Sequence, residues 1–107
     1  TVALNSAKFM TSILYQEQED NSFFSYIPDE KTLVHNANLL GSAWCAFAGK
    51  QLNDTKMMDQ GLKAARLSAN EQTKDGAWLY GSNNFHNFID GFHTALIRIY
   101  FEIFIIH

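Results

Sequence analysis

DGAWLYGSNNFHNFIDGFHTA, residues 75–95, combines an Asp-Gly turn signal, a crowd of aromatic and amide side chains, and a His86-x3-Asp90-x2-His93 spacing within about two turns of helix. The chain turns almost wholly apolar just afterwards, so its polar chemistry gathers at the entrance of an apolar helix. Helix entrances carry unpaired amides and partial positive charge, which suits anionic or hydroxyl-rich ligands. If this helix begins at or before His86, then His86, Asp90 and His93 fall at i, i+4 and i+7, on one face.

Working outward, residues 36–48 repeat the apolar theme with Ala37, Leu39, Leu40, Ala43, Trp44, Cys45, Ala46 and Phe47. Helices apolar on all sides are enclosed on all sides. Two further helices are expected to be half exposed. Residues 2–15 place Ala3, Ala7, Met10 and Leu14 at helical spacing, and residues 54–72 open on Asn53 or Asp54 as N-cap. The latter run Met58, Leu62, Ala65 and Ala69 down one face, with Lys56, Lys63 and Arg66 on the other. An outer helix thus alternates with an inner one. The links alternate too, with a short GKQLN at 49–53 between long segments at 17–33 and 73–85.

Set against each other at a shift of 54 residues, the halves match: Glu17-Gln18 with Glu71-Gln72, Asn21 with Asp75, Phe24 with Trp78, Tyr26 with Tyr80, and Asn36 with Asp90. The unit is outer helix, long aromatic loop, inner helix, written twice, at about 1–52 and 53–107.

Composition bounds the function. The chain has 107 residues, 47% hydrophobic and 18% charged, which is one globular domain with a modest core. Its net charge of -3 lacks the basic patch that nucleic-acid binding needs. Cys45 is the sole cysteine, so no internal disulfide forms, and it is expected to be a small buried hydrophobe. No signal-peptide pattern opens the chain, which leads to an expected cytoplasmic location. Asp90, His93, Arg98 and Glu102 interrupt the apolar tail and argue against a membrane span.

The loop of form Asp75-Gly76-x-Trp78-x-Tyr80-Gly81, leading into Ile89-Asp90-x-Phe92-His93-Thr94, resembles the α/α-toroid families, in which helical hairpins close into a ring around a pocket. The resemblance runs from about Gln16 to Ile97 and points to the toroid proteins of bacterial polysaccharide biosynthesis, the VpsJ-like group, whose stretch reads like DGSWYYG...WIDNFHTGF. It implies an all-α fold made of two consecutive hairpins of an incomplete, six-hairpin-like toroid. The ending FEIFIIH departs from the family's amphipathic continuation, so the chain is expected to be part of a longer toroid.

By that resemblance the expected function is glycan-related: binding or processing a saccharide or polysaccharide at the mouth where inner helices begin, with no cofactor. Asp90 and His93 are the catalytic candidates, a carboxylate orienting an imidazole near neutral pH. Asp90 as a simple N-cap above a hydrogen-bonded core His93 is the competing reading. Trp78, Tyr80 and Tyr26 are candidates to stack on sugar rings, or else to plug the loops onto the helix ends. Asp75, His86, Asn87, His35 and Asn36 complete the candidate binding set. Asp75 is also a simple turn residue, Asn36 a plausible N-cap, and His35 a residue that can sit in solvent. Asp75 with Asp90 could supply the carboxylate pair of a glycoside hydrolase. Two His and one Asp could also hold zinc, but no Cys cluster or HExxH pattern accompanies them, and no metal is assigned. A pocket should leave Asp90 and His93 open, whereas a non-catalytic scaffold or an inactive fragment should bury them against the loops. Two hairpins leave an inner-helix flank apolar and uncovered, so self-association or a missing remainder of the toroid is expected to cover it.

Overall fold

The computed structural model describes residues 1–18, 21–81 and 88–106. Four α-helices stand among them: α1 Val2–Phe9, α2 His35–Leu52, α3 Thr55–Asn70 and α4 Gly91–Ile106. A short antiparallel pair, β1 Tyr15–Gln16 and β2 Phe23–Phe24, places Tyr15 opposite Phe24. The fold is therefore mostly helical, as expected, with one small sheet that the hydrophobic pattern did not announce.

Thr1 caps α1 by accepting from the Leu4 amide at 3.2 Å. The expected single helix over 2–15 stops short, because Met10–Leu14 widens into a π-helical turn. There the Thr11 and Ser12 hydroxyls both bond back to the Lys8 carbonyl, at 3.1 and 2.6 Å, in competition with the regular helix ladder. α2 and α3 form a tight hairpin. Asn53 ends α2 in the left-handed conformation, with φ 53°, and the Asp54 amide reaches back to the Gly49 carbonyl at 2.8 Å. Asp54 then caps α3 by accepting from the Met57 amide at 3.1 Å, so of the two expected caps it is Asp54 that serves.

α3 is turned about one residue from the expected stripe. Its buried residues include Met57, Gly61, Ala64, Ala65 and Ser68, while Leu62 and Ala69 are exposed. Close approach decides this. A Cβ on Gly61 would stand 2.6 Å from the Ser42 carbonyl oxygen, so only small residues let α3 lie this near α2. Ala7, Phe24, Cys45, Ala48, Met57 and Ala64 form one core where α1, β2, α2 and α3 meet, and Leu39, Ala65, Trp78 and Ile97 form a second beside α4. Burial pushes the Cys45 thiol up to about 12, which makes it an inert core residue.

α2 is not enclosed on all sides, since Leu40 and Phe47 are exposed, and Ile99 is exposed on α4. An apolar recess of about 200 Å³ lies among Leu40, Ala43, Trp44, Phe47 and Tyr100.

The hydrogen bonds repeat. The Tyr26 amide donates to the Thr32 carbonyl at 3.1 Å, and the Tyr80 amide donates to the Phe88 carbonyl at 2.8 Å. The Phe24 amide donates to Asn38 Oδ1 at 2.8 Å, and the Trp78 amide to Thr94 Oγ1 at 3.4 Å. The loop donors stand 54 residues apart, from 24 to 78 and from 26 to 80, whereas their acceptors stand 56 apart, from 32 to 88 and from 38 to 94. The second loop is two residues longer. Asp90 therefore corresponds to Val34, not to Asn36, which corrects the pairing expected from a fixed shift.

Candidate functional site at the inner-helix entrance

The second long loop joins the starts of both inner helices. Val34 bridges to Gly81, and the His35 amide donates to the Tyr80 carbonyl at 3.2 Å. The Trp78 indole is buried behind this strap, donating to the Ser68 carbonyl at 2.6 Å and stacking on Phe101 at 5.8 Å between ring centroids. At 2% exposure Trp78 offers no face to a ligand, so it plugs the loop onto the helices instead of stacking on a sugar.

His35 is buried at 3% exposure, which excludes the alternative that it sits in solvent. Its Nδ1 lies 2.8 Å from Ser68 Oγ and its Nε2 lies 3.2 Å from Glu71 Oε2. Asn38 Nδ2 donates to the same Ser68 oxygen at 2.8 Å and to the Ala64 carbonyl at 2.9 Å. Because an ionised Glu71 carboxylate only accepts, Nε2 carries the proton of the neutral ring and donates to it, and Nδ1 accepts from the Ser68 hydroxyl. Burial, reinforced by nearby His93, pushes the His35 imidazole down to about 4, and burial pushes the Glu71 carboxyl up. Ser68, His35 and Glu71 have the outline of a nucleophile, base and carboxylate. Ser68 is fully buried, however, with its proton and a lone pair both engaged, and no substrate can reach it. This network fastens α2 to α3.

α4 begins at Gly91, so the condition for the shared face, a helix starting at or before His86, is not met by it. His86 and Asn87 lie outside the described residues. Asp90 precedes the helix and caps it, its Oδ1 accepting from the His93 amide at 3.4 Å. Asp90 stands before the first turn, so Asp90 and His93 do not share a helical face. The Asp90 carboxylate meets the His93 backbone; the imidazole it was expected to orient makes no hydrogen bond of regular geometry, its polar neighbour being the Tyr80 backbone.

That imidazole is buried at 2% exposure beneath Tyr80, with ring centroids 4.6 Å apart, and Tyr80 in turn stacks on Phe88 at 5.1 Å. Burial lowers the His93 pKa, opposed by the Asp90 charge and by the Tyr80 backbone. Asp90 itself is exposed at the rim. The two discriminating residues thus divide, one open and one enclosed.

The remaining candidates lie apart. Asp75 is exposed in a turn closed by the Gly76 amide on the Thr73 carbonyl at 2.9 Å, with Gly76 at φ 86°; it is a turn residue, distant in role from Asp90. Tyr26 is exposed at 55% on the first loop. Asn36 is the second residue of α2 and half-buried; the N-cap is Val34, with no side-chain bond. Among the described residues no group of three His, Cys, Asp or Glu side chains could hold a metal ion, and no helix is long and apolar enough to cross a membrane.

Ser68 and Glu71 escaped the candidate set. Their sequence signal was faint: small or polar residues on a helix face that an apolar stripe one position away seemed to explain. No family model, curated protein or solved structure matches the chain.

Proposed function

We propose that the chain is a helical-hairpin repeat unit of the α/α-toroid kind, and that the shared entrance of α2 and α4 binds a saccharide. The repeated hydrogen bonds of the two hairpins support the repeat, and the Val34–Gly81 and His35–Tyr80 links support a single entrance. His93 carries the ligand reading. A buried imidazole that makes no hydrogen bond of regular geometry, with only the Tyr80 backbone as polar neighbour, costs up to about 1–3 kcal/mol, and a ligand that bonds it would relieve that cost. A neutral imidazole offers one donor and one acceptor, and a sugar hydroxyl answers to both. Tyr80, lying over His93, provides the ring on which the sugar packs once it turns aside, and exposed Asp90 accepts hydroxyl protons at the rim. The Asp90 contact with the His93 backbone favours binding over catalysis.

A non-catalytic scaffold is the second reading, favoured by the enclosure of Trp78 and His35 within interhelical bonds. Thermal unfolding in the presence of neutral and acidic oligosaccharides separates the two, since a ligand that binds only the native state raises Tm. At least one oligosaccharide is expected to raise it in the wild type, and Asp90→Asn and His93→Ala to abolish the gain. No gain with any oligosaccharide favours the scaffold.

A further inference from the structure

Residues 78–81 cross the starts of both inner helices and are held unevenly. Trp78 is fixed, its indole donating to the Ser68 carbonyl at 2.6 Å and its ring stacked on Phe101. Beyond it the hold on α2 is light: the His35 amide donates to the Tyr80 carbonyl at 3.2 Å, and Gly81 makes one isolated bridge with Val34. Leu79 is exposed and Tyr80 is half-buried, so little apolar surface fastens residues 79–81.

Beneath this strap lie two buried imidazoles, His35 and His93, in which burial disfavours the charged form. His35 is the first residue of α2 and His93 the third of α4, so each also stands where the positive end of a helix resists an added positive charge. Glu71 on α3 faces His35 Nε2 at 3.2 Å, and His93 on α4 adds to the cost of a charge on His35. Asp90 and the Tyr80 backbone favour a charge on His93, but burial outweighs them. Once water reaches the two rings that burial cost falls away, so the opened strap admits protons that the closed one refuses. The Glu71 side chain, 43% exposed, stays as the partner of a charged His35, which keeps α2 on α3 while the strap lifts.

We propose that residues 79–81 form an acid-released strap, which closes over His35 and His93 near neutral pH and lifts from the starts of α2 and α4 as the pH falls, turning about the fixed Trp78 and leaving the α2–α3 hairpin folded. The strap controls access to the helix entrance, and it is independent of what binds there.

Hydrogen exchange of the His35 amide, whose acceptor is the Tyr80 carbonyl, tests this when followed by nuclear magnetic resonance from pH 7 to pH 5 and corrected for the intrinsic rate at each pH. The Cys45 and Ala64 amides, within α2 and α3, are the reference for global unfolding. With the His35 imidazole titrating at about 4 when closed and at its ordinary 6.5 when open, the opening equilibrium is expected to rise at least about tenfold over this range, while Cys45 and Ala64 stay far better protected. In His93→Phe the rise is expected to be smaller, because one of the two protonations is removed. A His35 amide whose corrected exchange does not change with pH overturns the proposal. So does a change matched at Cys45 and Ala64, which is global unfolding, and so does a His93→Phe variant with the full wild-type dependence. His93→Leu, read in the same way, serves if the phenylalanine variant loses its helical circular dichroism.

Discussion

His35 and His93 are buried imidazoles at one entrance, yet one is fully bonded and the other is not. Substitution separates them. Phe at position 93 fills nearly the same volume with no polar atom, so His93→Phe is expected to stabilise the fold by about 1 kcal/mol, seen as a Tm rise of roughly 4–8 °C. A fall in Tm would mean that the His93 nitrogens are satisfied in solution. The pH profile reports His35. Its pKa is depressed from 6.5 to about 4, and that of His93 is lowered too, so the unfolded chain binds more protons than the native one between those values. Stability is full above about pH 6.5 and is lost as the pH falls toward about 4. For His35 the loss is on the order of 3 kcal/mol. Glu71, pushed upward by burial, opposes part of this as it regains its proton. Urea unfolding from pH 7 to 4 checks the sign, and a flat profile contradicts a buried neutral His35.

At the scale of the element, the α2–α3 contact depends on the absence of a side chain. Gly61→Ala gains about 1 kcal/mol in helix propensity. Its Cβ, however, would lie 2.6 Å from the Ser42 carbonyl oxygen and 2.9 Å from the Ala46 nitrogen, backbone atoms that cannot swing away. A net loss of about 1–3 kcal/mol in urea unfolding is expected; a neutral result would mean that the helices lie further apart. The same contact explains what the sequence concealed. Apolar periodicity located all four helices, but it chose Met58 and Leu62 over the glycine, alanine and serine that form the interface, because small residues carry little hydrophobic signal. The start of α4 was placed too early because aromatic residues of the loop extend the apolar run backward, and only the Asp90 cap marks the boundary.

Across the whole molecule, the paired aromatics suggested a twofold repeat, and the Tyr26 and Tyr80 amides each donate to a carbonyl later in their own loop. The two extra residues of the second loop were not legible, since a fixed shift aligns the loops and so misaligns the helices behind them. The burial of His35 was hidden for another reason: its partners Ser68 and Glu71 lie more than thirty residues away, on an element whose rotation no local pattern sets. What remains central is the buried His93 imidazole where α4 begins. Nuclear magnetic resonance of the imidazole nitrogens during titration with neutral and acidic oligosaccharides tests it most directly. A saccharide site at this entrance requires that one titrant shift the His93 signals more than those of His35 and saturate; a full panel that leaves His93 unmoved, or that moves His35 alone, contradicts it.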